Sequence, residues 1–198
     1  MLIYKYNISD ITEVELNNWY YSMNKERQED IARIINKEKR ALKIAADRLC
    51  RKAIYEFCGA SSENIEFCKN EYGKPYVKNL PVHFSISHSG SMAVCAVSNN
   101  EIGIDIEKIR PIRIKAAEKF ASPEELRYIK SNQNGFFEIW TLKEAYFKCI
   151  GTGLGADIKD VSFNVTNDKI ICSEIGYKLS FYEAADGYVC SVCQKVTD

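Results

Sequence analysis

The spacing of hydrophobic and polar residues changes several times along the chain, and each change marks an element. Residues 1–8 carry Leu2, Tyr4, Tyr6 and Ile8 at period two, which predicts a strand. Over 13–57 the apolar positions fall at helical spacing, from Leu16, Trp19 and Tyr20 through Ile31, Ile34 and Ile35 to Leu42, Leu49, Ile54 and Phe57. Gly59-Ala60-Ser61-Ser62 ends that helical run. A short strand is expected at 65–68, a turn at 70–75, and a strand from Val82 that runs out into a small polar loop holding both histidines, His83 and His88. Met92–Ser98 is apolar, as in a buried strand, and 102–107 alternates again, as in a half-buried one. Beyond Arg110-Pro111 a helix is expected at 114–120. Ser122-Pro123-Glu124-Glu125 then joins an N-cap, a first-turn proline and first-turn acids into a second helix start. A strong helix covers 136–150 and stops at Gly151, Gly153 and Gly155. Strands return at 161–165, 169–172, 178–183 and 188–196. Strand, helices, strands, then helices and strands again predict an α+β protein with two similar halves.

Composition narrows the function more than the fold. The 198 residues hold 27 basic and 27 acidic side chains, so net charge directs the protein neither to nucleic acid nor to an anionic membrane. Recognition of an anion must be local. No stretch approaches the roughly 18 apolar residues of a membrane span, and the first residues lack a basic region followed by an apolar one. A cytoplasmic protein with no nucleic-acid and no membrane partner is expected. The eight cysteines are scattered in mostly apolar surroundings and are expected as reduced thiols. Cys190-Ser191-Val192-Cys193 has no second pair at zinc-ribbon spacing, and strand alternation would put its two thiols on opposite faces.

Two short patterns carry chemistry. In Ile102-Gly103-Ile104-Asp105-Ile106-Glu107, Asp105 and Glu107 share one strand face about 7 Å apart. Carboxylates that close repel unless a cation holds both, and a hard ion such as Mg²⁺ (or Mn²⁺) would do so. An exposed strand face that happens to be acidic would read the same. Gly103 would let a ligand or another backbone come close beside the pair. Some forty residues on, Glu144 and Lys148 stand one helical turn apart. That spacing suits a surface ion pair. Beside the acidic strand it also suits a third metal carboxylate and a cation for phosphate charge. The helix around Arg33, Lys37, Lys39, Arg40, Lys43, Arg48, Arg51 and Lys52 is strongly basic on one side, as a solvated face or as a phosphate contact.

Gly103-Ile104-Asp105-Ile106-Glu107-Lys108-Ile109-Arg110-Pro111 followed by Trp140-Thr141-Leu142-Lys143-Glu144-Ala145-Tyr146-Phe147-Lys148 closely resembles the signature pair of the 4'-phosphopantetheinyl transferases, of the monomeric type that activates surfactin synthetase. Tyr72-Gly73-Lys74-Pro75, His83–Ser89 with Gly90, and Gly151-Thr152-Gly153-Leu154 extend the resemblance over about residues 70–155. It implies a fold of two pseudo-symmetric lobes (1–103 and 104–198), each a small antiparallel sheet packed with helices, with coenzyme A between them. It also implies Mg²⁺-dependent transfer of the phosphopantetheine arm of coenzyme A to a serine of an apo acyl or peptidyl carrier protein, releasing 3',5'-ADP. Residue by residue, Asp105, Glu107 and Glu144 match the metal ligands. Glu144, or a water it orients, matches the base, Glu124 a further assisting acid, and Lys148 the lysine that neutralises the pyrophosphate. Lys74, Ser87 and His88 match residues that hold the nucleotide phosphates. Leu42 stands where the family usually has an arginine against the 3'-phosphate, which leaves Arg40 or Lys43 to replace it. About 200 residues suit a monomer, whereas shorter family members trimerise. The remaining alternatives are a metal-dependent phosphodiesterase using the same carboxylates, and a carrier-binding module without catalysis.

Overall fold

The computed structural model describes residues 1–61, 64–166 and 169–196. Ser62, at the end of the expected helix stop, lies outside them. In chain order the elements are β1 (Leu2–Asn7), α1 (Glu13–Tyr21), α2 (Lys25–Ala32), α3 (Lys37–Cys58), β2 (Phe67–Lys69), β3 (Pro75–Val77), β4 (His83–Ser89), β5 (Met92–Ser98), β6 (Ile102–Lys108), α4 (Pro123–Ser131), α5 (Gly135–Ile150), β7 (Phe163–Val165), β8 (Ile170–Cys172), β9 (Tyr177–Phe181) and β10 (Tyr188–Lys195). The helix expected at 114–120 is a 3-10 helix over Ile114–Lys119.

Caps divide the long helical pattern at 13–57. Thr12 and Glu15 close a capping box on α1, while the Asn24 and Asn36 side chains each accept the third amide of α2 and α3. Apolar spacing alone runs through these breaks. Gly59, at φ 74°, closes α3 in the left-handed conformation that residues with a Cβ avoid.

Two antiparallel three-stranded sheets carry the architecture, β1-β5-β4 and β6-β10-β9. On the outer face of the first, Ala46, Leu49, Ala53 and Ile54 of α3 pack against Ala93, Cys95 and Val97. The other face of β5, with Met92, Val94 and Ala96, meets Ile102, Ile104 and Ile106 of β6 and Val192 of β10. Ile139, Leu142, Ala145 and Cys149 of α5 cover the far side of the second sheet with Leu179 and Cys193. The layers therefore run helix, sheet, sheet, helix, an α+β fold whose two similar halves each back a sheet with one long helix.

This layering corrects two readings of the pattern. β6 is not half-buried: α5 covers the face that alternation leaves polar, and Asp105 is only 4% exposed. β4 stays a strand through Ser89, so His88 sits in regular structure rather than in a loop. All eight cysteines are free, and Cys190 and Cys193 fall in different core clusters, on opposite faces of β10. Among the described residues no helix is long and apolar enough to cross a membrane.

Candidate active site

The site lies where β4 of the first sheet meets β6 of the second. No backbone ladder joins these strands; alternate serines of β4 do. Ser85 Oγ accepts the Ile104 amide at 3.0 Å and Ser89 Oγ accepts the Lys108 amide at 3.1 Å, so the strands run in the same direction. Between them, Ser87 Oγ donates to Asp105 Oδ1 at 2.6 Å. From the other side α5 presses on β6 at Gly103. A Cβ there would collide with the Ala145 carbonyl and come within 2.5 Å of the Cys149 amide nitrogen. The close neighbour that Gly103 admits is the helix backbone itself, and this brings Glu144 and Lys148 over Asp105.

Lys148 does not pair with Glu144 along its helix. Its ammonium donates to Asp105 Oδ1 at 2.6 Å and to Ser87 Oγ at 3.0 Å. Asp105 Oδ2 is buried and has no hydrogen-bond partner among the described residues. Burial raises the Asp105 pKa, and Lys148 only partly offsets it. Glu107 keeps one oxygen occupied: Oε2 accepts from Ser89 Oγ and from Arg110 Nη1, both at 2.9 Å. Burial, then the charges of Asp105 and Glu107, push Glu144 up to about 7 against Lys148. The three carboxylates thus feel one another. Yet among the described residues no three acidic, histidine or cysteine side chains are already gathered as a metal cage. The orphaned Oδ2 and the mutual repulsion are what a hard divalent cation would relieve, so the donor set fits Mg²⁺.

The cations divide into engaged and available groups. Arg40 spends its guanidinium on carbonyls at and just past the end of α2, reaching Ile34 O at 2.8 and 3.0 Å and Ala32 O at 3.2 Å. Lys43 makes no hydrogen bond or ion pair among the described residues, and burial followed by Arg27 and Lys69 lowers its pKa. His88 is exposed, but protein crowding its ring, and then the Lys43 charge, lower its pKa; Lys148 adds to this. Lys43, His88 and Lys148 therefore share one field beside the carboxylates. Lys74 is bound differently. Its ammonium lies on the Cys149 carbonyl at 2.9 Å and the Ile102 carbonyl at 3.4 Å, at the C-terminal end of α5, while Asn70 holds Gly151 O at 2.8 Å.

Glu124 is not brought to this cluster. Its side chain is exposed and pairs with Arg127 at 2.8 Å. The adjacent Glu125 is the buried one. It caps α4 through the Ser122 amide, accepts the Phe163 amide at 2.9 Å, and meets Lys143 at 3.0 Å, both side chains fully buried. Lys143 completes the knot on the Ile158 and Val161 carbonyls, which fixes α5 one residue before Glu144. Residue reading passed over Glu125, Lys143 and Ser89. The Ser122-x-x-Glu125 capping box and the serines at 85, 87 and 89 were their available signals.

Carboxylates that meet a lysine of their own half, with a histidine and a second lysine across the sheet seam, define an enzyme site suited to a phosphate-bearing substrate. Residues 101–193 match the family model of the 4'-phosphopantetheinyl transferase superfamily, and residues 10–100 match that of the 4'-phosphopantetheinyl transferase N-terminal region. The 4'-phosphopantetheinyl transferase gsp of Aneurinibacillus migulanus is 39% identical over 181 residues, covering 87% of this chain and 76% of its own. The 4'-phosphopantetheinyl transferase Sfp of Bacillus subtilis (strain 168) is 32% identical over 194 residues, covering 92% and 87%. A solved holo-[acyl-carrier-protein] synthase of Thermotoga maritima aligns over 50% of this chain and 64% of its own at 25% identity, with a TM-score of 0.43. The chain belongs to the 4'-phosphopantetheinyl transferase superfamily, a family of transferase enzymes.

Proposed function

We propose that this enzyme transfers the 4'-phosphopantetheine arm of coenzyme A to a serine hydroxyl of an apo acyl or peptidyl carrier protein. The observation that carries the reading is Asp105, buried beside Lys148 with one oxygen unpartnered, in the seam between two sheets of a chain of this family. The serine oxygen forms a new bond to the phosphorus that bears the arm. The bond from that phosphorus to the bridging oxygen breaks, and 3',5'-ADP leaves with the electron pair. Glu144, held up to about 7, takes the serine proton directly or through a water. Lys148 neutralises the pyrophosphate charge as it builds on the leaving oxygen. Asp105, Glu107 and Glu144 would hold Mg²⁺, or Mn²⁺ in its place, which when bound supplies positive charge to the pyrophosphate oxygens.

Lys43, rather than Arg40, is the cation offered to the 3'-phosphate, with His88 beside it, because the Arg40 guanidinium is already used by the Ile34 carbonyl just past α2. Ser87 acts by holding Asp105 and Lys148, and Lys74 by holding the end of α5 against β6 near the nucleotide. The lobes divide at 1–103 and 104–198, with coenzyme A in the cleft between them, and the enzyme works as a monomer. Eight unpaired thiols suit a cytoplasmic setting. The carrier docks on the basic segment from Lys108 to Lys119. There Arg110 joins Glu107 to a groove of about 400 Å³ lined by Ile109, Ile112, Phe136 and Phe137.

Incubating the purified protein with coenzyme A, Mg²⁺ and an apo carrier, followed by intact-protein mass spectrometry, tests the reading. Conversion of the carrier to its phosphopantetheinylated form is expected. Cleavage of coenzyme A without a carrier would instead indicate a phosphodiesterase, and carrier binding without modification a silent binding module.

A further inference from the structure

Ser89 has no part in the chemistry described above, yet it touches one of its carboxylates. It is the third of the alternate β4 serines that face β6. Its hydroxyl does two things at once: the oxygen accepts the Lys108 amide at 3.1 Å, and the proton goes to Glu107 Oε2 at 2.9 Å. The accepted amide fixes where the hydroxyl sits on the strand, and the donated proton fixes which way the carboxylate turns. Arg110 holds the same oxygen at 2.9 Å from the solvent side. Glu107 therefore has Oε2 committed and Oε1 free of hydrogen bonds among the described residues. Asp105 shows the same division, with Oδ1 held by Ser87 and Lys148 and Oδ2 orphaned. In both carboxylates one oxygen is anchored across the sheet seam and the other is left to bind.

We propose that Ser89 is a positioning residue that presents Glu107 Oε1 to the divalent cation, so that a strand of the first sheet sets the metal affinity of the second. This rests on the metal-ligand reading of Asp105 and Glu107 above. Carboxylates that ligate metals are themselves hydrogen-bonded, and losing such a partner typically costs about 10- to 100-fold in metal affinity. The donor is neutral, so its removal changes orientation without changing the charge around the ion.

The test is Mn²⁺ affinity of the full chain, read from loss of the free-ion electron paramagnetic resonance signal, with and without saturating coenzyme A. Ser89→Ala should raise the Mn²⁺ dissociation constant about tenfold. Ser89→Thr, which keeps the hydroxyl, should bind as wild type does. In a Glu107→Ala background, Ser89→Ala should have no further effect, since the partner through which it acts is gone. If the serine only stitched the strands together, Ser89→Ala would lower the melting temperature and leave Mn²⁺ affinity unchanged, which would overturn the proposal. Equal losses in the wild-type and Glu107→Ala backgrounds would overturn it too. If Ser89→Ala does not fold, Ser89→Cys keeps the volume with a far weaker donor and carries the same expectation. Asp105→Asn separates the two readings, because Ser89 does not touch it. Mn²⁺ binding indifferent to Asp105→Asn removes the metal reading and this inference together. Binding that needs Asp105 but ignores Ser89 removes the inference alone.

Discussion

The two helix-backed sheets differ most where helix meets edge strand. In the first, β1 offers Tyr4 and Tyr6 to the core beneath α3. Their rings fill the gap, and the Tyr4 hydroxyl reaches Glu56 at 2.7 Å. In the second, the corresponding edge strand β6 offers Gly103 and Asp105 to α5. With no ring as a spacer, the helix backbone rests on the strand, and a carboxylate is enclosed rather than covered. The same scaffold thus makes a packed interface in one half and a reactive one in the other. Lys43 and His88 come from the first half, whereas the second supplies the three acids together with Lys148, the cation in direct contact with Asp105.

Removing the enclosed acid tests this contrast most severely. Asp105→Ala should slow carrier modification about a thousandfold, since several transition-state charge contacts meet there. A folded variant that modifies carriers at near the wild-type rate would refute its role. Gly103→Ala should displace α5 and cost about a hundredfold in rate through misplacement of Glu144 and Lys148. Tyr4→Phe at the matching place in the first sheet should leave the rate unchanged. Equal effects at the two positions would erase the distinction between the halves. Lys43→Ala should abolish about a tenfold preference for coenzyme A over dephospho-coenzyme A, the scale of one charge-assisted hydrogen bond. If Arg40→Ala did so instead, the first half would contribute a different cation. Reversing charge at Arg113 and Lys115 together should raise the carrier KM several-fold at low salt and less near 1 M, where the Debye length falls to about 3 Å, with the coenzyme A KM unmoved. An unchanged carrier KM would move the docking face elsewhere.

The smallest expected effect is on stability. With Glu144 ordinarily at 4.5 and held near 7 in the fold, the unfolded chain releases this proton first as pH rises. The group therefore favours the fold below about 4.5 and loses that contribution as pH climbs through 7. Metal-free protein should melt lower at pH 7.5 than at pH 5, and Glu144→Gln should flatten that slope. An identical slope in the variant would show that burial does not hold the Glu144 proton.

Patterning made the elements legible because each buries a face, and face periodicity is written in the residues. β5, β6, β10 and α5 fall within a residue or two of expectation. What patterning missed needed a partner distant in sequence. Asp105 looked like the polar side of a half-buried strand because nothing in 102–107 tells of the helix that covers it. Glu124 drew attention over Glu125 because side-by-side acids at a helix start differ only in which one the fold turns inward. Arg40 and Lys43 were indistinguishable until the carbonyl end of α2 claimed one of them. In each case residue type set the chemistry available, and tertiary contact decided which copy was used.

The serine stitch also bears on the order in which the protein can be made. The first sheet has all its strands once Ser98 has been synthesised, but the ladder partner of β6 is β10, reached only after α4, α5 and the intervening strands. On the ribosome, the acidic strand emerges long before the strand that will pair with it. Until then the hydroxyls of Ser85, Ser87 and Ser89 are the groups already in place to receive it. Long-range strand pairing is slow because the loop must close before contacts reward it. A finished first half with a serine-lined edge strand turned toward β6 gives the nascent strand somewhere to wait, and removing two of those hydroxyls together should show first as a lower yield of soluble protein during translation.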